Sequence, residues 1–230
     1  MILCFDGGER ELQGTIAFRI ESNPGSIYDG FSVVGVEDYN TEALKALDAY
    51  RQYMAQDSYA GRLYFIYLND DRIPELIIDG VDAATGSVVL TYFKGKVESC
   101  TLDRGDFEYY EKQNIIDNDT GNMGYFYCSI IQIQNGNFYE IATGNISMKD
   151  MYLDVDDWDF EDDSQWNFTW NGETVSAKEY WSNREEILPI EGGVNNPSWD
   201  IGIDVGSYSA EYGDAINQAY LELLERWDNR

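Results

Sequence analysis

Tyr125-Phe126-Tyr127-Cys128-Ser129-Ile130-Ile131-Gln132-Ile133-Gln134-Asn135-Gly136-Asn137-Phe138-Tyr139-Glu140-Ile141-Ala142 is two β-like runs hinged on an Asn-Gly pair. Both hinge residues tolerate positive φ, which a two-residue hairpin turn requires, so this stretch predicts an antiparallel hairpin. The arrangement recurs on either side. Val88–Phe93 and Lys96–Ser99 flank Lys94-Gly95, and Asn167–Trp170 and Glu173–Val175 flank Asn171-Gly172. Each hairpin is aromatic on its first arm. Their spacing is too irregular for a solenoid or a propeller.

Further strands are expected at Leu63–Leu68 and Glu75–Asp79, two strongly apolar runs. Short runs at Ile2–Phe5, Thr15–Ile20 and Phe31–Val36, punctuated by Gly and Pro, predict two or three more. Thr41 to Gln56 reads as a helix, with Leu44, Leu47, Tyr50 and Met54 at helical spacing. Ser176-Ala177-Lys178-Glu179 is a capping box that opens a helix running to about Leu188, before Pro189. Residues 189–207 read as a loop. A last helix, from about Ala210 to Trp227, carries the stripe Ile216, Ala219, Tyr220, Leu223 and Trp227. Hairpin-linked strands without βαβ alternation indicate an α+β fold, a mainly antiparallel meander sheet packed by about three helices. We read one domain over 1–230: N-terminal strands in 1–40, a core in 41–188, and a loop and helix in 189–230.

Composition narrows the function. The chain has 230 residues, 43% of them hydrophobic, enough for a substantial core. Its net charge of -28 opposes a phosphate backbone and an anionic membrane, and no stretch is apolar enough for membrane insertion. The partners this charge suits are cations, a basic protein surface, or a neutral glycan. There is no histidine, which excludes Ser-His-Asp and Cys-His hydrolysis and imidazole metal sites. Cys4, Cys100 and Cys128 are too far apart for a Cys-x-x-Cys site and read as small apolar residues. The start Met1-Ile2-Leu3-Cys4-Phe5-Asp6 has no basic n-region. The expected location is the cytoplasm if Met1 is the native start, and the cell surface or exterior if an export signal was removed.

Three landmarks, in order, carry a family resemblance. They are Tyr64-Phe65-Ile66-Tyr67-Leu68-Asn69-Asp70-Asp71-Arg72-Ile73-Pro74-Glu75-Leu76, then Thr91-Tyr92-Phe93-Lys94-Gly95-Lys96-Val97, then Thr169-Trp170-Asn171-Gly172-Glu173-Thr174-Val175-Ser176 leading into Glu179-Tyr180. Over about residues 50–190 the chain resembles a family of uncharacterised domains of Gram-positive gut bacteria, chiefly clostridia. The resemblance implies a protein that is often exported or lipid-anchored, and implies no activity.

Two segments stand out as candidate sites. In the Asn69–Glu75 loop, Asn69, Asp71 and Glu75 match the third, fifth and ninth positions of a Ca²⁺-wrapping loop. Tyr67 replaces its first carboxylate and Arg72 its glycine, so the rival reading is a turn whose side chains bond backbone amides. The second segment is the run Asp154, Asp156, Asp157, Trp158, Asp159, Phe160, Glu161, Asp162 and Asp163. Like charges at this density predict an exposed, mobile strip, and the interleaved aromatics suit docking to a basic partner. The rival is a solvated loop whose aromatics fold back onto the core. Trp158, Trp166, Trp170, Trp181 and Trp199 are candidates for stacking on a sugar. No carboxylate pair is singled out for glycoside hydrolysis. The reading is therefore a non-enzymatic acidic binding module. The alternatives are an intracellular inhibitor whose carboxylates mimic nucleic acid, and a glycan-binding surface domain.

Overall fold

The structure is a computed structural model that describes residues 41–56, 59–150, 154–190, 192–206 and 212–228, with the strand residues 2–5, 8–11, 20–21 and 32–33. At the N-terminus β1 (Ile2–Phe5) pairs antiparallel with β2 (Gly8–Glu11), and β3 (Ile20–Glu21) with β4 (Ser32–Val33). Most of the expected Thr15–Ile20 and Phe31–Val36 runs lies outside the described residues.

α1 (Thr41–Met54) is followed by the meander β5 (Gly61–Ile66), β6 (Glu75–Gly80), β7 (Ser87–Phe93) and β8 (Lys96–Leu102). Strand β16 (Ile203–Val205) joins β5, giving the order β16-β5-β6-β7-β8, all antiparallel. The period of two divides this sheet's side chains between two cores. Leu63, Phe65, Leu76, Ile78 and Leu90 meet Ala43, Leu47 and Tyr50 of α1 and Ile216, Ala219, Tyr220 and Leu223 of α4 (Tyr212–Asp228). Tyr64, Ile66, Ile77 and Val89 point the other way, onto Tyr109, Ile116, Ile131 and Ile133 of a second sheet.

That second sheet comprises β9 (Glu108–Tyr110), β10 (Ile115–Asn122), β11 (Tyr125–Gln134), β12 (Asn137–Met148), β13 (Trp166–Trp170), β14 (Glu173–Val175) and β15 (Val194–Asn195). Its order is β14-β13-β12-β11-β10-β9-β15. Alternation along β11 sends Cys128 and Ile130 to the far face and Ile131 and Ile133 to the near one, while a register shift opposite Ile130/Ile131 passes over Ile141 and lets Phe138 and Ala142 of β12 serve opposite faces. On the far face α2 (Ala177–Ile187) covers the sheet through Ala177 and Tyr180, against Trp166, Phe168 and Trp170. The layers run α1/α4, five-stranded sheet, seven-stranded sheet, α2.

All three expected hairpins form, and their turns have positive φ at both central residues: Lys94-Gly95, Asn135-Gly136 and Asn171-Gly172. The capping box at Ser176 is present, with Ser176 Oγ accepting from Glu179 N and Glu179 Oε2 accepting from Ser176 N. Two expectations need correction. Within the expected antiparallel α+β class, the strands from β5 onward divide between two sheets rather than one, because both faces of β5 and β6 are apolar and each needs a cover. Residues 189–207 are also not plain loop: they contain β15, α3 (Ser198–Ile201) and β16, which pair with β9 and β5. A fourth hairpin, β10–β11, turns at Met123-Gly124.

Gly144 on β12 makes room for α2. A Cβ there would stand 2.6 Å from the Tyr180 ring and 2.8 Å from Cys128 Sγ. Overpacking of this kind costs about 1–3 kcal/mol. Gly144→Ala is therefore expected to lower the urea midpoint at unchanged m-value, and an unchanged midpoint would show that α2 does not close on this strand.

Candidate functional site

The Asn69–Glu75 segment joins β5 to β6. Asn69 Oδ1 accepts from Asp71 N at 2.8 Å, and Asp71 Oδ1 accepts from Ile73 N at 2.8 Å. Glu75 turns inward and is 1% exposed; Oε2 accepts from Leu68 N at 3.0 Å and Oε1 from Thr91 Oγ1 at 3.3 Å. The oxygens proposed for Ca²⁺ thus serve backbone amides and a buried threonine. Among the described residues, no group of three or more His, Cys, Asp or Glu is placed to hold a metal ion. Burial, opposed by the Leu68 amide, pushes the Glu75 carboxyl up to about 8. Burial thus favours the protonated form of Glu75 in the folded protein.

The sign of the pH effect follows. The unfolded carboxyl titrates near 4.5 and the folded one near 8. The contribution is fully present below pH 4.5 and declines as pH rises through 8, by about 1.4 kcal/mol per unit within that window. The expected outcome is that Glu75→Gln, which keeps an acceptor for Leu68 N, gains stability over the native protein progressively from pH 5 to 8. Parallel stability–pH curves for the two proteins would refute a neutral Glu75.

The acidic run lies between β12 and β13. Its aromatics fold back onto the sheet, so they are not the exposed anchors of a docking strip. Phe160 stacks on Trp166 at 4.7 Å, and Trp158 meets Trp166 edge-on at 5.4 Å, with Phe126 against all three. The indole N–H groups of Trp158 and Trp166 are buried, with no acceptor among the described residues. The physical reason is area: burying a large aromatic is worth more than presenting it to water. The expected mobility also gives way to a pinned loop. Asp154 Oδ1 accepts from Asp156 N, Asp159 Oδ1 from Glu161 N, Asp162 Oδ1 from Ser164 N and Asp163 Oδ1 from Ala177 N. Trp181 Nε1 donates to Phe160 O at 3.0 Å. The carboxylates of Asp154, Asp156, Asp157, Asp159, Glu161 and Asp163 stay at the surface, with Asp162 half-buried. Lys149 Nζ donates to Asp163 O, a carbonyl, at 2.5 Å. Among the described residues none of the exposed acids of this run is in an ion pair.

A third acidic feature was not legible. Asp117 and Asp119 of β10 face α2, where Arg184 Nη2 contacts Asp117 Oδ2 at 2.5 Å and Asp119 Oδ2 at 2.7 Å. Asp117 is 1% exposed and Asp119 44%. Burial pushes Asp117 up against the downward pull of Arg184. Burial lowers Arg184, but the charges of Asp117 and Asp119 outweigh it and raise it. The triad lines a cleft of about 450 Å³, completed by the β6–β7 turn, residues 104–108 and the segment around Trp199. Asp79, also on the cleft, is fully engaged: Oδ1 accepts from Ser87 Oγ and Asn196 Nδ2, and Oδ2 from Ser198 Oγ. The only signal in the chain was the alternation Asp117-Asn118-Asp119, which period two places with both acids on one face.

Of the tryptophans offered for sugar stacking, Trp166 and Trp170 are buried and Trp158 and Trp181 half-buried, while Trp199 is 77% exposed. Compared with known proteins, the chain matches no family model, no curated protein and no solved structure.

Proposed function

We propose that the protein is a non-enzymatic binding module for a basic protein surface, and that the loop 154–163 is its docking element. The observation that carries this is the set of exposed carboxylates, Asp154, Asp156, Asp157, Asp159, Glu161 and Asp163, on a loop held in fixed turns, with no cationic partner among the described residues. Pinning a loop before binding reduces the ordering entropy that association costs. The inward aromatics act from beneath, as the anchor that keeps the acids outward. Recognition is then electrostatic, which favours fast association and steep salt dependence. The chain's net charge of -28 adds long-range steering toward the same class of partner.

Among the described residues the side chains of Asp156, Asp157 and Glu161 accept no hydrogen bond, so their charge is removable without disturbing the loop's turns. The test is calorimetric titration with a Lys/Arg-rich peptide over a range of salt. Combined Asp156→Asn, Asp157→Asn and Glu161→Gln is expected to weaken binding about tenfold at low salt, the cost of roughly 1.4 kcal/mol. The thermal midpoint should not fall. Equal affinity of variant and native protein, or binding indifferent to salt, would rule the loop out as the docking element.

A further inference from the structure

The cleft at Asp117, Asp119 and Arg184 lies apart from the acidic loop and has its own chemistry. Not all of its acids are available. Asp79 is saturated by three donors, and Asp82 Oδ1 accepts from both Thr85 N and Thr85 Oγ1. Asp117 is different. It lines the cleft and is 1% exposed, its Oδ2 takes Arg184, and among the described residues its Oδ1 has no hydrogen-bond partner. Native proteins rarely leave a buried carboxylate oxygen without a donor. Among the described residues Arg184 Nε is unpartnered as well, so this guanidinium engages its acids through Nη2.

We propose that this cleft binds an organic cation, an alkylammonium or guanidinium group that docks on Asp117 and Asp119 with its carbon chain toward Trp199. The entering cation takes the unclaimed Oδ1 as the Arg184 side chain yields, and Asp119, 44% exposed, is the acid it meets first. An organic cation fits better than a metal ion on two grounds. Among the described residues no acidic group is arranged to hold a metal. The walls also include apolar surface from Val81, Phe107 and the 77% exposed Trp199. The Trp199 ring already receives a cation of this kind, since the Arg62 guanidinium carbon lies 3.5 Å from its centroid. Such contacts supplement charge pairing in the recognition of organic cations.

The experiment uses the full chain and two probes, 1,4-diaminobutane and N-acetyl-arginine amide, followed by calorimetry and tryptophan fluorescence. Binding of either at up to millimolar concentration is expected, about tenfold weaker in Asp119→Asn and in Trp199→Ala. Both substitutions are at exposed or half-exposed side chains, so the fold survives them. Preference for the diamine would mark a free amine as the ligand, and preference for the arginine derivative a protein side chain. The triple variant of the acidic loop should bind both probes as the native protein does, which separates this site from the docking loop. No binding of either probe would overturn the proposal. So would unchanged affinity in both cleft variants, or Ca²⁺ binding that Asp119→Asn abolishes while both probes fail.

Discussion

Leu63 and Phe65 meet two helices while Tyr64 and Ile66 meet a second sheet, so β5 has no face left for water. The same holds for β6, where Leu76 and Ile78 oppose Ile77. Fully burying an aliphatic or aromatic side chain contributes about 1.5–3 kcal/mol, so neither face can be left bare. α1 and α4 close one side and the seven-stranded sheet the other. The join between the sheets is also hydrogen-bonded: Lys112 N donates to Tyr67 O and Asn114 N to Leu68 O. Arg226 of α4 donates to Phe65 O at 2.9 Å, tying the last helix to the same strand.

A chain of such charge must still decide what to do with acids inside it, and this one uses three solutions. Glu75 gives up its charge, because desolvation outweighs the few donors around it. Asp79 is surrounded by Ser87, Asn196 and Ser198, and so binds the C-terminal segment to the β6–β7 edge. Asp117 pairs with Arg184 and leaves one oxygen unclaimed. The first two are closed, structural arrangements. The third is incomplete at the edge of a cleft. The acids of 154–163 are the opposite case: they stay in water, and hydrophobic burial of Trp158 and Phe160 beneath them fixes where they stand.

The hairpins at Lys94-Gly95, Asn135-Gly136 and Asn171-Gly172, the capped helix after Ser176 and the stripe of α4 were legible because each depends on neighbours in sequence. Positive φ at a turn, a cap three residues away and a helical stripe are all short-range physics. The hairpin at Met123-Gly124 was less so, since β10 carries Asp117-Asn118-Asp119-Thr120 where a strand usually shows apolar residues. Those polar residues are tolerated because Arg184, distant in sequence, neutralises two of them.

By itself the sequence determined the α+β class, the main turns, the long helices and a net charge of -28. Only tertiary structure decided that the strands split into two sheets, that β15 and β16 recruit the 189–207 segment, and which way the aromatics of the acidic run face. It alone placed Asp117, Asp119, Arg184 and Trp199 around one cleft. The reason is that local geometry follows from backbone preferences over a few residues. The partner of a buried face or a buried charge is chosen by competition among all the surfaces the chain can bring together.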